Sequence, residues 1–178
     1  MKWFFGFTSL LVAGCALANP YAGQQERSIK ALSDDEIKSY LAGAGAGFAR
    51  AAELNSHPGP MHALELADPL ALTPAQRGDL ARLMALHKAD ARGLGAGVVR
   101  LEGELDALYA ERRATRESVE AKAAEIGAAQ ARYRASHLTT HIETSRLLTA
   151  EQIARYDRLR GYVPGAEPAG RGHGGHAH

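Results

Sequence analysis

The sequence predicts an all-α protein organised on a long antiparallel helical hairpin with short flanking helices, and three observations carry that expectation. First, one five-residue pattern occurs twice, as Leu72-Thr73-Pro74-Ala75-Gln76 and as Leu148-Thr149-Ala150-Glu151-Gln152. Each copy reads as a helix start. A threonine N-cap accepts from a free N–H of the first turn, and a glutamine three residues on reaches back to the cap's own N–H. Second, the stretch between the copies carries two seams with alternating spacings of four and three. One runs Leu80, Met84, His87, Ala91, Leu94, Val98, Leu101, Leu105 and Leu108; its partner runs Val119, Ala123, Ile126, Gln130, Tyr133, His137, Thr140, Thr144 and Leu147. Third, aromatic residues make up only 6% of the chain, so a deep core of large side chains is not available.

In the first copy, Pro74 sits at the first helical position, where its missing N–H costs nothing. Leu72 and Leu148 precede the caps and are placed to staple the incoming chain onto each helix. The caps Thr73, Gln76, Thr149 and Gln152 are therefore a structural frame rather than a catalytic motif. Glu111 to Arg116 is charged and lacks a seam residue, which places the bend there. Each arm then extends about 50 Å at the rise of an α-helix.

The doubled pattern, on an Ala- and Arg-rich helical chain behind an export signal, resembles the Spy/CpxP family of periplasmic stress proteins over roughly Leu66 to Tyr162. The resemblance implies a periplasmic protein of one of two kinds: an ATP-independent chaperone, or a relative that responds to zinc or heavy metals. It also implies a homodimer. Physical reasoning points the same way, since a thin hairpin leaves an apolar face uncovered.

Residues 1–18 read as a secretory signal, with Lys2 as the positive end, Trp3 to Val12 as the apolar run and Ala16-Leu17-Ala18 as the cleavage site. The run is too short to span a bilayer. Leu11-Val12-Ala13-Gly14-Cys15 gives a second reading, a lipoprotein signal over 1–14 with Cys15 lipidated. Under either, the protein is exported and meets a membrane only through that anchor. Cys15 is the only cysteine, so no intramolecular disulfide forms.

Residues 19–32 read as a polar linker, and 33–68 as an N-terminal helical segment opened by the capping box Ser33-Asp34-Asp35-Glu36. The alternating Ala42-Gly43-Ala44-Gly45-Ala46-Gly47 is expected to continue as a weak or close-packed helix through Phe48 to Leu54; no strand precedes it, as a phosphate-binding loop would need. The interior Gly93, Gly95 and Gly97 imply a bend or a close helix approach. Residues 72–162 form the hairpin domain. Residues 163–178 read as a disordered tail rich in Gly and His.

A net charge of +1 argues against a nucleic-acid partner. The folded region carries no cysteine, G-x-S-x-G elbow or H-E-x-x-H run, so the sequence argues against an enzyme and requires no cofactor. The candidate chemistry is histidine. His173, His176 and His178 of the tail could take zinc, copper or nickel through neutral imidazole. His137 and His141 share a helix face at ligand spacing. If facing seam positions have numbers adding to about 227 by the heptad register, His87 lands opposite Thr140, within a turn of both, and three imidazoles converge. The hairpin arginines offer a separate reading. Their long stems cover apolar surface while the heads stay wet, which suits loose binding of unfolded envelope proteins.

Overall fold

The computed structural model describes residues 20–45 and 47–163. The expected export signal with Cys15, and the tail with His173, His176 and His178, lie outside the described residues. Among the described residues the protein is all-α, with a single isolated bridge between Ile29 and Leu32. The helices are α1 (Asp34–Ala42), α2 (Arg50–Glu53), α3 (Pro60–Glu65), α4 (Pro74–Ala110), α5 (Arg116–Leu147) and α6 (Ala150–Leu159). No helix among the described residues is long and apolar enough to cross a membrane.

The two long helices set the dimensions. At 37 and 32 residues, α4 and α5 run about 55 and about 48 Å. They lie side by side in opposite directions. Near the turn the Lys122 ammonium sits 2.7 Å from Glu104; midway the Ser136 hydroxyl donates to Asp90 at 2.6 Å; at the far end Gln76 donates to the Leu147 carbonyl at 2.9 Å. The turn between them is capped by Thr115, whose side chain accepts from the Ser118 N–H.

Two apolar clusters hold this frame, one at each end. The first gathers Ala63, Ala67, Leu70, Leu72, Leu80, Leu148 and Tyr156, with Leu64, Leu147, Ile153 and Leu159 packed against it. Both leucines that precede the doubled caps are buried in it. The second, nearer the turn, joins Val98, Leu101, Ile126 and Ala129 to Tyr40 and Leu105. Between the clusters the buried side chains of α5 are Tyr133, His137, Thr140, His141 and Thr144. The threonines satisfy their hydroxyls on their own helix, Thr140 to the Ser136 carbonyl and Thr144 to the Thr140 carbonyl, each at 2.8 Å. Ala123, expected in the seam, is exposed, and Ala129 is buried instead.

The N-terminal segment folds back onto α4. Lys30 donates its N–H to Asp106 at 3.0 Å and Leu32 is buried, so the end of the polar stretch before α1 is pinned to the long helix. The alternating Ala/Gly run does not continue α1 as expected. The helix stops at Ala42 because Gly43 turns left-handed, at φ 69°, a conformation that glycine adopts without a Cβ penalty. The reason lies across the interface. A Cβ on Gly95 of α4 would stand 2.0 Å from the Tyr40 carbonyl oxygen, and one on Gly43 would stand 3.0 Å from the Arg92 nitrogen. Backbone meets backbone where α1 ends.

This geometry separates the three interior glycines of α4. Nothing lies within 4 Å of a Cβ built on Gly93 or Gly97, so alanine at either should stabilise by up to about 1 kcal/mol through helix propensity alone. Gly95→Ala should instead destabilise by about 2 kcal/mol or more, because the obstacle is main chain and cannot swing aside. Urea unfolding of the three variants checks this; equal effects at all three positions would contradict the close approach.

Candidate functional site

The doubled motif forms a single junction. In each copy the threonine side chain accepts from the N–H three residues on, at 3.2 Å, and the glutamine oxygen accepts from the threonine's own N–H. The two glutamines then face each other. Gln76 donates to the Gln152 oxygen at 2.8 Å, and Gln152 donates to the Gln76 oxygen at 3.0 Å. Each remaining amide hydrogen goes to a carbonyl of the opposite chain end, Gln76 to Leu147 at 2.9 Å and Gln152 to Leu70 at 3.4 Å. Every donor and acceptor of both amides is used. The pair thus ties the start of α4 to the start of α6.

Above that junction lies a buried polar belt. Glu53, at the end of α2, is 7% exposed. Its carboxylate receives the Gly59 N–H at 3.1 Å and the Tyr156 hydroxyl, which sits 2.9 and 2.8 Å from its two oxygens. Burial, then the Glu53 charge, push the Tyr156 phenol well above its usual range. A Cβ on Gly59 would come within 2.9 Å of the His141 ring and 3.2 Å of Glu53. Only glycine lets the Pro58-Gly59-Pro60 turn lie against both. The same turn is held twice more: His141 Nδ1 donates to the His57 carbonyl at 2.8 Å, and Ser56 donates to Asp157 at 2.6 Å. The other Asp157 oxygen is buried without a partner.

His87 and His137 meet in this belt, ring edge to ring face, with centroids 4.4 Å apart. Tyr133 and Phe48 complete an aromatic surround, at 5.5 and 6.5 Å from the His137 ring. Tyr133 in turn donates to the Ala44 carbonyl. His87 lies beside Ser136 and His137 and shares a groove lining with Thr140, its Nδ1 3.4 Å from the Ser136 hydroxyl that donates to Asp90. His141, one turn on, is directed to the turn at His57. Of the three histidines expected to converge, the belt brings His87 and His137 into contact and ties His141 to the backbone. Among the described residues no group of three or more His, Cys, Asp or Glu side chains is placed to hold a metal ion. His57 and His62 are bonded locally, to the Asn55 carbonyl and the Glu65 carboxylate.

Both contacting imidazoles are held towards the neutral form. Burial lowers His87, against an opposing pull from Asp90, and burial together with His87 and His141 brings His137 down to about 4. His137 Nδ1 is buried without a hydrogen bond of normal geometry. The arginines expected on the long helices are largely paired: Arg77 with Asp68, Arg82 with Asp79, Arg100 with Glu104, Arg113 with Glu111, Arg116 with Glu120 and Arg146 with Glu143. Such exposed pairs add little stability. Apolar side chains stand among them, Leu86 and Ile142 being 66% and 44% exposed.

Sequence reasoning missed Glu53, Tyr156 and the glutamine pair. Glu53 had one local signal, a lone carboxylate closing the short apolar run before Pro58-Gly59-Pro60. Tyr156 stands among the apolar positions of α6, with nothing nearby in sequence to mark its polar partner. The chain matches no family model, no curated protein and no solved structure.

The low affinity of His137 for a proton fixes a pH dependence. The unfolded chain takes up a proton near the ordinary value of 6.5, while the folded chain resists until about 4. The histidine's contribution is thus complete above the unfolded value and is lost as pH falls between the two. His87 adds in the same direction. Stability in urea should decline across that window, and His137→Gln should make the decline shallower. An identical slope in the variant would show that His137 is not held neutral by the fold.

Proposed function

We propose that the protein is an exported, periplasmic holder of unfolded envelope proteins that works without ATP, as the resemblance to Spy/CpxP proteins implies. In this reading the antiparallel α4–α5 hairpin is the working element, and two copies pair through its uncovered face. The observation that carries the reading is the mixed surface of the two long helices. A shallow groove of about 300 Å³ between them is lined by Leu83 and Leu86 beside the polar and acidic side chains of His87, Asp90, Ser136, Thr139, Thr140 and Glu143. Ion-paired arginines are exposed on both helices, Arg82 with Asp79 and Arg146 with Glu143, the last of which lines the groove. Exposed apolar groups beside long arginine stems favour loose contact with many unfolded sequences over tight contact with one. Anchoring at Cys15 would hold this surface at a membrane.

A second reading, a binding protein or sensor for zinc, copper or nickel, is favoured by the state of the histidines. His141 gives its Nδ1–H to a carbonyl, and His87 Nδ1 faces a hydroxyl that is itself bonded to Asp90. This is the support that commonly leaves Nε2 of an imidazole free for a metal. The His87–His137 contact would supply the first ligands, joined by His141 or by the tail residues His173, His176 and His178.

One experiment separates the two. The protein should slow aggregation of an unrelated unfolding client without nucleotide and with chelator present, and high salt should weaken the effect because exposed charge contributes. No suppression at several-fold molar excess, combined with stoichiometric binding of one divalent transition metal by a chain ending at Tyr162, would replace the first reading with the second.

A further inference from the structure

The N-terminal side of the molecule carries a cleft that the client-binding surface does not use. It lies between α2 and α5, has a volume of about 460 Å³, and is lined by Phe48, Ala51, Leu54, Arg50 and Arg134 among others. Its floor is apolar, and Leu54 stands 60% exposed there. Its charge is of one sign. Arg50 and Arg134 form no ion pair among the described residues, and no aspartate or glutamate lines the cleft. The nearest acid in sequence, Glu53, is turned away, its carboxylate occupied by Tyr156 and Gly59. Arg134 is held with its guanidinium 5.7 Å from the Phe48 ring centroid, a cation–π contact that orients the head while leaving its N–H groups free. Phe48 itself is braced from behind by the Tyr133 ring at 5.9 Å.

We propose that this cleft binds a small apolar carboxylate, of the kind of a medium-chain fatty acid anion. The two arginines of the lining meet no carboxylate there, and an anionic oxyanion head matches them in charge. The floor of Phe48, Ala51 and Leu54 is matched by an alkyl tail. The volume falls in the range of small-molecule sites, where an apolar lining with a few polar groups fixes orientation. This assignment does not depend on the chaperone reading.

The test is a calorimetric titration of the full chain with sodium decanoate below its micelle-forming concentration, beside acetate and decanamide. One decanoate should bind per chain. Shortening the tail should weaken binding by about two- to fourfold per methylene, since each methylene removed takes its share of apolar burial with it. Acetate and decanamide should each bind at least about tenfold more weakly, and Arg134→Gln or Arg50→Gln should cost about tenfold while leaving the thermal melt unchanged. The proposal is overturned if decanoate shows no saturable binding, if both arginine variants bind it as the parent does, or if acetate binds equally well. It is also overturned if binding disappears as protein concentration rises, which would mark the cleft as the seat of a second copy.

Discussion

The reciprocal bond between the Gln76 and Gln152 amides is the constraint on which the rest of the arrangement depends. A capping box needs only a glutamine oxygen, and each copy uses its oxygen that way. The leftover amide hydrogens would be lost to water in an isolated helix. Here they are spent across the junction, so two local helix starts become one long-range contact between residues 76 apart in sequence. Because each glutamine is held rigidly by its own cap, the pair fixes rotation as well as distance. That fixes where α6 leaves α5, and hence where Tyr156 points.

The buried polar belt follows from that placement. Tyr156 reaches Glu53 and Asp157 reaches Ser56, so the N-terminal segment is held by polar bonds to α5 and α6 rather than by apolar packing alone. Buried polar groups specify one geometry when every partner is present and weaken the fold when one is missing. Here both conditions occur side by side. Glu53 is satisfied, whereas one oxygen of Asp157 and one nitrogen of His137 are not. The apolar clusters at the two ends therefore carry most of the stability, and the belt between them sets the register. Within it His87 and His137, both held towards the neutral form, pack edge to face inside an aromatic surround.

What could be read from the sequence divides along the distance over which each interaction acts. All-α content was legible, because the caps at Thr73 and Thr149 involve partners three residues apart and the seams repeat at helical spacing. Gly93, Gly95 and Gly97 were legible together as a bend or a close approach, and only the packed structure assigns the close approach to Gly95. The end of α1 was not. An Ala/Gly alternation is compatible with a helix, and the left turn at Gly43 is decided by the α4 backbone that it meets. Within the belt, His87 and His137 could be brought near each other by a simple register argument. The same argument put His141 within a turn of His87 but could not foresee that its Nδ1 is taken by the His57 carbonyl, a group with no sequence signature. Glu53 and Tyr156 stand 103 positions apart, and neither residue alone announces the other.

These features bear on function through rigidity. A surface that held unfolded chains, as proposed, would require helices that keep their relation while the ligand varies, and the doubled motif supplies such a relation at the open end of the helix pair. The direct measurement is a double-mutant cycle in urea with Gln76→Met, Gln152→Met and the two together. Each single change strands a partner amide, so the double variant should lose at least about 1 kcal/mol less than the two single losses combined. Additivity within about 0.5 kcal/mol would mean that the two motifs act only as separate helix caps, and the account of a single junction would fail.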